Sequence, residues 1–381
     1  MNEESLALRA SRAAATIAPH VRVIETGRRL PPEVVEALAA AGLFKALVPR
    51  DYGGGEHSIG ELVDALETLA RVDGSAAWCA MIGATSGLIS AYLAPETARE
   101  LFADPRAISA GIFAPFGKAR AVEGGYRVSG RWPFASGCQH ATHVMGGVMI
   151  AREGKPEMRS KPEMRSMVFA KEDVRVHDTW DVAGLRGTGS HDVEVEDAFV
   201  PEARTLSLLG PPRHEGALYR QPLFGSLAAG VAAVAIGLAR GALEELVTIA
   251  KTKRIGPERT MASRELVQRD VGVAWGALDA AKATLVVALD ANAREVERDG
   301  SASLQTRARL RLAACHATKE SAKVVDLAYE HGGGAAIYAT SSLQRAKRDI
   351  HVATQHLMVS GTSATLAGRA LLGLDEDYST L

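Results

Sequence analysis

The hydrophobic period changes twice along this chain, and that limits the folds open to it. From Ala107 to about Pro201, apolar residues recur close to every second position, with turn residues between the runs. The expected strands are Ile108–Phe113, Tyr126–Trp132, His143–Ile150, Met167–Ala170 and Asp192–Val200. On both sides the spacing is helical. The expected organisation is α+β: an all-α N-terminal domain over 1–105, a central β-barrel-like domain over 106–205 and a C-terminal four-helix bundle over 206–381. A chain of 381 residues has room for two or three such units.

Local signals place the helices. Ser5 to about Thr26 reads as helix with a break at Pro19. Pro31-Pro32 opens another helix, which Gly42 closes. Ser58-Ile59-Gly60-Glu61 is a capping box ahead of an apolar stripe that runs to Val72. Ser75 to Leu93 is apolar nearly all round, so it should be a buried helix. Pro95 starts one more short helix. After the linker Gly210-Pro211-Pro212, long helices are expected over Leu223–Lys251, Ser263–Glu297 and Leu304–Glu330. Shorter ones follow over Leu343–Gln355 and Thr362–Leu372. Long helices joined by short loops favour a four-helix bundle. The hexapeptide Lys155–Ser160 repeats at once as Lys161–Ser166, and we read this polar, proline-containing copy as a lengthened hairpin loop.

Charge and cysteines narrow the function classes. The formal net charge is −1 with both signs mixed, which leaves no basic field for nucleic acid and no anchor for a membrane surface. The uncharged runs Gly74–Pro95 and Gln221–Ala239 lack basic flanks and suit buried helices better than membrane spans. Cys79, Cys138 and Cys315 form no CxxC and no disulfide framework, so a cytoplasmic location is expected. No GxGxxG follows a strand and there is no Walker A sequence. No metal site is expected. His351 and His356 fall on different helix faces, and His140 and His143 lack a carboxylate or thiolate at ligand spacing.

Three stretches carry candidate chemistry. Arg131-Trp132-Pro133-Phe134-Ala135-Ser136-Gly137 ends a strand with flat apolar rings, one hydroxyl and a proline suited to an edge or bulge. It reads either as a wall for a planar ring with one polar contact or as a strand end with a buried aromatic pair. Gly184-Leu185-Arg186-Gly187-Thr188-Gly189-Ser190 reads either as a backbone cradle for an anion or ring edge, or as a connector. His356 reads either as an acid or base or as a capping histidine.

The order of these pieces resembles the acyl-CoA dehydrogenase superfamily. So do Leu47-Val48-Pro49 followed by Tyr52-Gly53-Gly54, the loop 184–190, Phe199-Val200-Pro201, Gly332-Gly333-Gly334 and Arg348-Asp349. The similarity covers nearly the whole chain. Trp132-Pro133-Phe134-Ala135-Ser136-Gly137 is similar to the oxygenase components of two-component flavin-dependent hydroxylases. That resemblance implies reduced flavin, FMN or FAD, supplied by a separate flavin reductase. It also implies O2, a C4a-hydroperoxide and a small, typically aromatic substrate. It places Ser136 near flavin N5 and His356 facing the same site as catalytic residues. Trp132, Phe134, Ala135, Ser136, Arg186, Gly332 and Gly333 become cofactor contacts. It also implies a homotetramer, with Gly332-Gly333-Gly334 and the first long bundle helix near subunit contacts.

Two departures shape the reading. A dehydrogenase of acyl thioesters needs a carboxylate base. The segment from His331 to Leu374 has no Glu and only Asp349, and Lys251-Thr252-Lys253-Arg254-Ile255-Gly256 offers none at the alternative position. Many of the hydroxylases carry a histidine in the buried helix 75–93, where this chain has Thr85 and Ser86. The leading expectation is therefore a monooxygenase. Its rivals are an FAD-dependent acyl-CoA dehydrogenase with its base moved to Glu244 or Glu245, and a flavin-binding scaffold without turnover.

Overall fold

The computed structural model describes residues 4–151, 163–208 and 210–381. Local chemistry sets the first helices. α1 (Leu6–Ile17) begins where Ser5 Oγ accepts from the Leu8 N–H, and it buries Leu6, Ala10, Ala13 and Ile17 at helical spacing. Pro19 lies in a single tight turn between α1 and α2 (Val21–Gly27). α3 (Pro32–Ala40) opens on proline. α4 (Ile59–Ala70) has a complete capping box: the Glu61 N–H donates to Ser58 Oγ and the Ser58 N–H donates to the Glu61 carboxylate. α5 (Gly74–Gly87) is capped by Asp73 and buried on nearly every face, as its lack of a polar stripe requires. α6 (Pro95–Phe102) completes the N-terminal set.

The middle of the chain forms a mixed seven-stranded sheet. Its strands are β1 (Ser109–Val122), β2 (Gly125–Ala135), β3 (His143–Ala151), β4 (Met164–Ala170), β5 (Arg175–His177), β6 (His191–Pro201) and β7 (Thr205–Leu206). The order is β5-β6-β2-β1-β3-β4-β7, with β1 and β3 parallel and the other pairs antiparallel. β5 and β7 are too short to stand out as alternating runs. Part of the tandem hexapeptide is strand rather than loop, since Met164, Arg165 and Ser166 pair with Met149, Val148 and Gly147. Residues 155–162 of the repeat lie outside the described residues.

Trp132 explains much of the sheet's interior. It is fully buried, and its Nε1 donates to the Gly147 carbonyl at 2.8 Å. A methyl group added at Gly117, Gly130 or Gly146 would lie 2.4–2.8 Å from its ring. Three glycines therefore make the slot for one indole. Pro133 and Phe134 fall where the β2–β6 register shifts, the bulge that proline favours.

The C-terminal helices are α7 (Leu223–Thr252), α8 (Glu265–Asp299), α9 (Leu304–Gly332), α10 (Ser342–Ala353) and α11 (Gly361–Leu371). α7 is the central one and packs on α4, α5, α9 and α10. At Gly237 a Cβ would meet the Glu67 carbonyl at 2.5 Å, so α4 and α7 approach closely only because that position is glycine. α7 and α8 are long and apolar enough to cross a membrane by length and composition, but most of the apolar stretch of α7 is buried against these neighbours. The N-terminal helices and the bundle share one core, while most of the sheet's inner face forms another.

Candidate active site

Where these units meet there is a cavity of about 490 Å³. α5 supplies one side with Trp78, Met81, Ile82, Thr85 and Ser86, spaced to share one helix face. β1, the β2 bulge, the 184–190 loop, α7 and the segment after α10 close the rest. The wall is mainly aliphatic and aromatic. Among the described residues that line it there is no Asp, Glu, Lys or Arg.

Its polar end is a relay of buried hydroxyls. Trp78 Nε1 donates to Ser136 Oγ at 3.2 Å. Ser136 Oγ lies 2.7 Å from Ser190 Oγ, which lies 2.7 Å from Thr188 Oγ1. Thr188 Oγ1 donates to the Leu185 carbonyl at 2.8 Å, and a hydroxyl has one proton. Thr188 must then accept from Ser190, and Ser190 from Ser136. The chain of donors fixes the direction: Ser136 spends its proton on Ser190, accepts from Trp78, and keeps one lone pair for the cavity.

The 184–190 loop is held by α10. The Leu185 N–H donates to the Asp349 carboxylate at 2.6 Å, and Arg348 pairs with Glu25 at 2.7 Å. A Cβ at Gly184 would lie 2.2 Å from the Arg348 carbonyl oxygen, so only glycine lets the loop sit on the helix. Asp349 is buried. Burial pushes its carboxyl up to about 7, opposed by the Leu185 N–H and aided by nearby Asp73. Leu185 and Gly189, both left-handed, bracket the single turn that presents Thr188 and Ser190 to Ser136.

His356 enters from the other side. Its ring meets the Trp78 ring edge-on, with centroids 5.4 Å apart. Burial, with the Arg311 guanidinium, pushes it down to about 4, so it is neutral at pH 7. The Met358 N–H donates to His356 Nδ1 at 3.3 Å, which leaves the proton on Nε2. Arg311, itself buried, donates to the carbonyls of Met358 and Thr380 and so ties the His356 segment to the C-terminal tail.

Ser136, Phe134 and His356 thus meet in one cavity. Phe134 reaches its mouth with φ +64 and 70% exposure, edge-on to Trp180 at 6.2 Å. The other expected contacts lie elsewhere. Trp132 faces the sheet's interior and is no wall of this pocket; the residue pair that forms the wall is Phe134 with Trp180. The Ala135 side chain is buried in the same interior. Arg186 pairs with Asp181 at 3.5 Å and donates to the Val182 carbonyl, so the loop contributes hydroxyls to the cavity rather than a charge. Gly332 and Gly333 end α9 beside Lys253, away from the cavity lining. Sequence reasoning passed over Trp78, although an indole N–H in an apolar helix needs an acceptor and so gave a signal. Ser190 gave none by itself. Among the described residues no cluster of three or more His, Cys, Asp or Glu forms a metal-ligand group.

The acyl-CoA dehydrogenase N-terminal domain family matches residues 2–101, and the C-terminal domain family matches residues 229–361. An indole-3-acetate monooxygenase of Pseudomonas putida is 33% identical over 91% of this chain and 88% of its own. The oxygenase component of an FADH2-dependent resorcinol hydroxylase of a Rhizobium species is 29% identical over 93% of this chain and 90% of its own. The crystallised protein XiaF of a Streptomyces species, bound to FADH2 and glycerol, superposes with a TM-score of 0.89 at 27% identity, covering 99% of this chain and 97% of that one.

Proposed function

The chain belongs to the acyl-CoA dehydrogenase family, on its branch of flavin-dependent monooxygenases, and we propose that this cavity holds reduced flavin with Ser136 and His356 at the reacting edge. Reduced flavin comes from a separate reductase, and when bound it supplies the electrons that activate O2 for hydroxylation of an aromatic ring. The observation that carries the reading is the wall itself, which among the described residues has no carboxylate to strip a proton from a thioester. Glu244 and Glu245, the rival positions for such a base, do not line it, and Glu244 is paired with Arg71 at 2.6 Å.

The residues present fit that cofactor. The one lone pair that Ser136 keeps suits a ring N–H, which reduced flavin carries at N5. A buried N–H left without a partner costs about 1–3 kcal/mol, so this hydroxyl has leverage. His356, neutral with its proton on Nε2, serves as a hydrogen-bond donor that polarises substrate or oxygen. It does not serve as a base, because Nδ1 is already taken by the Met358 N–H. The aliphatic wall excludes water, which would otherwise divert O2 to hydrogen peroxide.

The test supplies reduced flavin and O2 to the wild type, Ser136→Ala and His356→Ala, and measures hydroxylated product against hydrogen peroxide. Ser136→Ala should raise the peroxide share, and His356→Ala should lower product formation. Wild-type coupling in both variants would remove both assignments. We further propose a homotetramer, supported by exposed Val273 and Val287 on α8 and by exposed Ile337 and Tyr338 beside Gly332-Gly333-Gly334. Light scattering on the purified protein decides it. A cytoplasmic location fits three free, buried cysteines.

A further inference from the structure

The far end of the cavity carries a polar group that the flavin reading does not use. Ser86 lies on the same face of α5 as Trp78, eight residues on, or about 12 Å along the helix axis. It is 2% exposed. A serine inside a helix commonly bonds back to the carbonyl four residues earlier, as Thr85 does to Met81 at 2.8 Å. Among the described residues Ser86 Oγ has no such bond and no other partner, and it retains access to the cavity it lines. Across from it stands Gly111 of β1. A Cβ there would lie 2.9 Å from Ser86 Oγ and 2.9 Å from the Met145 methyl, so the glycine keeps the space in front of the hydroxyl open. Around it the wall is Ile82, Ile112, Leu227 and Val231.

An unsatisfied hydroxyl in an apolar site calls for a partner from the ligand. Among the described residues the same wall has no Lys or Arg, and His356 is neutral, so a carboxylate placed here would be stripped of water and left unpaired. Resting on the monooxygenase reading, we propose that Ser86 is a specificity-determining residue: it hydrogen-bonds a polar ring group of an uncharged aromatic substrate, and the site rejects aromatic carboxylates. The ring lies between Ser86 and the Trp78–Ser136 end. This sets the chain apart from the relative named for indole-3-acetate.

The test titrates protein carrying reduced flavin, without oxygen, by calorimetry at pH 7.5. The probes are indole, 1-methylindole, which lacks the N–H, and indole-3-acetate. Indole should bind at least tenfold more tightly than indole-3-acetate. Ser86→Ala should weaken indole about five- to tenfold, the range of one neutral hydrogen bond, and leave 1-methylindole within twofold. Gly111→Ala, which crowds the hydroxyl from the sheet side, should weaken indole without changing any residue of α5. The proposal is overturned if indole-3-acetate binds as tightly as indole, if Ser86→Ala weakens both neutral probes equally, or if neither neutral probe binds. Admitting O2 afterwards tests the underlying reading separately. Failure to oxygenate any probe would count against the monooxygenase assignment, while the binding comparison would still decide Ser86.

Discussion

Removing the Ser136 hydroxyl should orphan the Trp78 N–H, and a second substitution should relieve it. Trp78, Ser136 and Ser190 are 6%, 7% and 4% exposed, so water cannot replace a lost partner easily. Ser136→Ala takes away the acceptor of the 3.2 Å bond from Trp78 and the donor of the 2.7 Å bond to Ser190. An unpartnered buried donor costs about 1–3 kcal/mol. Trp78→Phe deletes that donor, at the cost of lost ring contacts. The double variant carries no orphaned N–H. Its loss of stability should therefore fall short of the sum of the single losses by about 0.5–3 kcal/mol. Urea unfolding of all four proteins, followed by far-ultraviolet circular dichroism, gives the cycle. Additivity within about 0.3 kcal/mol would refute the Trp78–Ser136 bond that ends the relay.

Other outcomes follow from the same geometry. His143, buried beside Ser109, is pushed down to about 4 by burial with Arg204 from an ordinary 6.5, so the native protein binds fewer protons than the unfolded chain between those values. Its stabilisation is present above about 6.5 and lost as pH falls toward 4. The advantage of wild type over His143→Gln should shrink across that window, and a constant difference would contradict it. Asp349 has the opposite sign: with its carboxyl raised from 3.8 to about 7, stability is lost as pH rises between those values. Asp349→Asn, which keeps an acceptor for Leu185, should gain on wild type from pH 4 to pH 7 in urea midpoints. Gly184→Ala should destabilise by about 1–3 kcal/mol or more, because its Cβ would meet the Arg348 backbone. Gly368→Ala in α11 meets nothing within 4 Å and should stabilise by about 0.5–1 kcal/mol.

The helices were legible because their signals are local. Pro19, Pro32, the Ser58–Glu61 box and Asp73 each act within one turn, and the observed helix starts fall within a few residues of the expected ones. The bundle was legible for the same reason, since the long helical runs end at glycine or proline segments. The site was less so. Ser136 and His356 were readable as chemistry, but the facing of Trp132 was not, because the register shift at Pro133–Phe134 decides which rings face inward. The role of Arg348-Asp349 was also hidden. A carboxylate in sequence looks like a charge, whereas here Asp349 is a buried acceptor for a loop more than a hundred residues away. The Trp78–Ser136–Ser190–Thr188 relay joins three separate segments, and no spacing rule links them.

Among the described residues the cavity wall offers no carboxylate base for thioesters, and we propose that it couples reduced flavin to O2 instead. The most direct measurement mixes the protein with oxidised flavin and an acyl-CoA without reductase or oxygen, then with reduced flavin, labelled O2 and a neutral aromatic. The thioester should cause no bleaching, and one labelled oxygen atom should appear in the aromatic product. Bleaching of bound flavin by the thioester alone would contradict it.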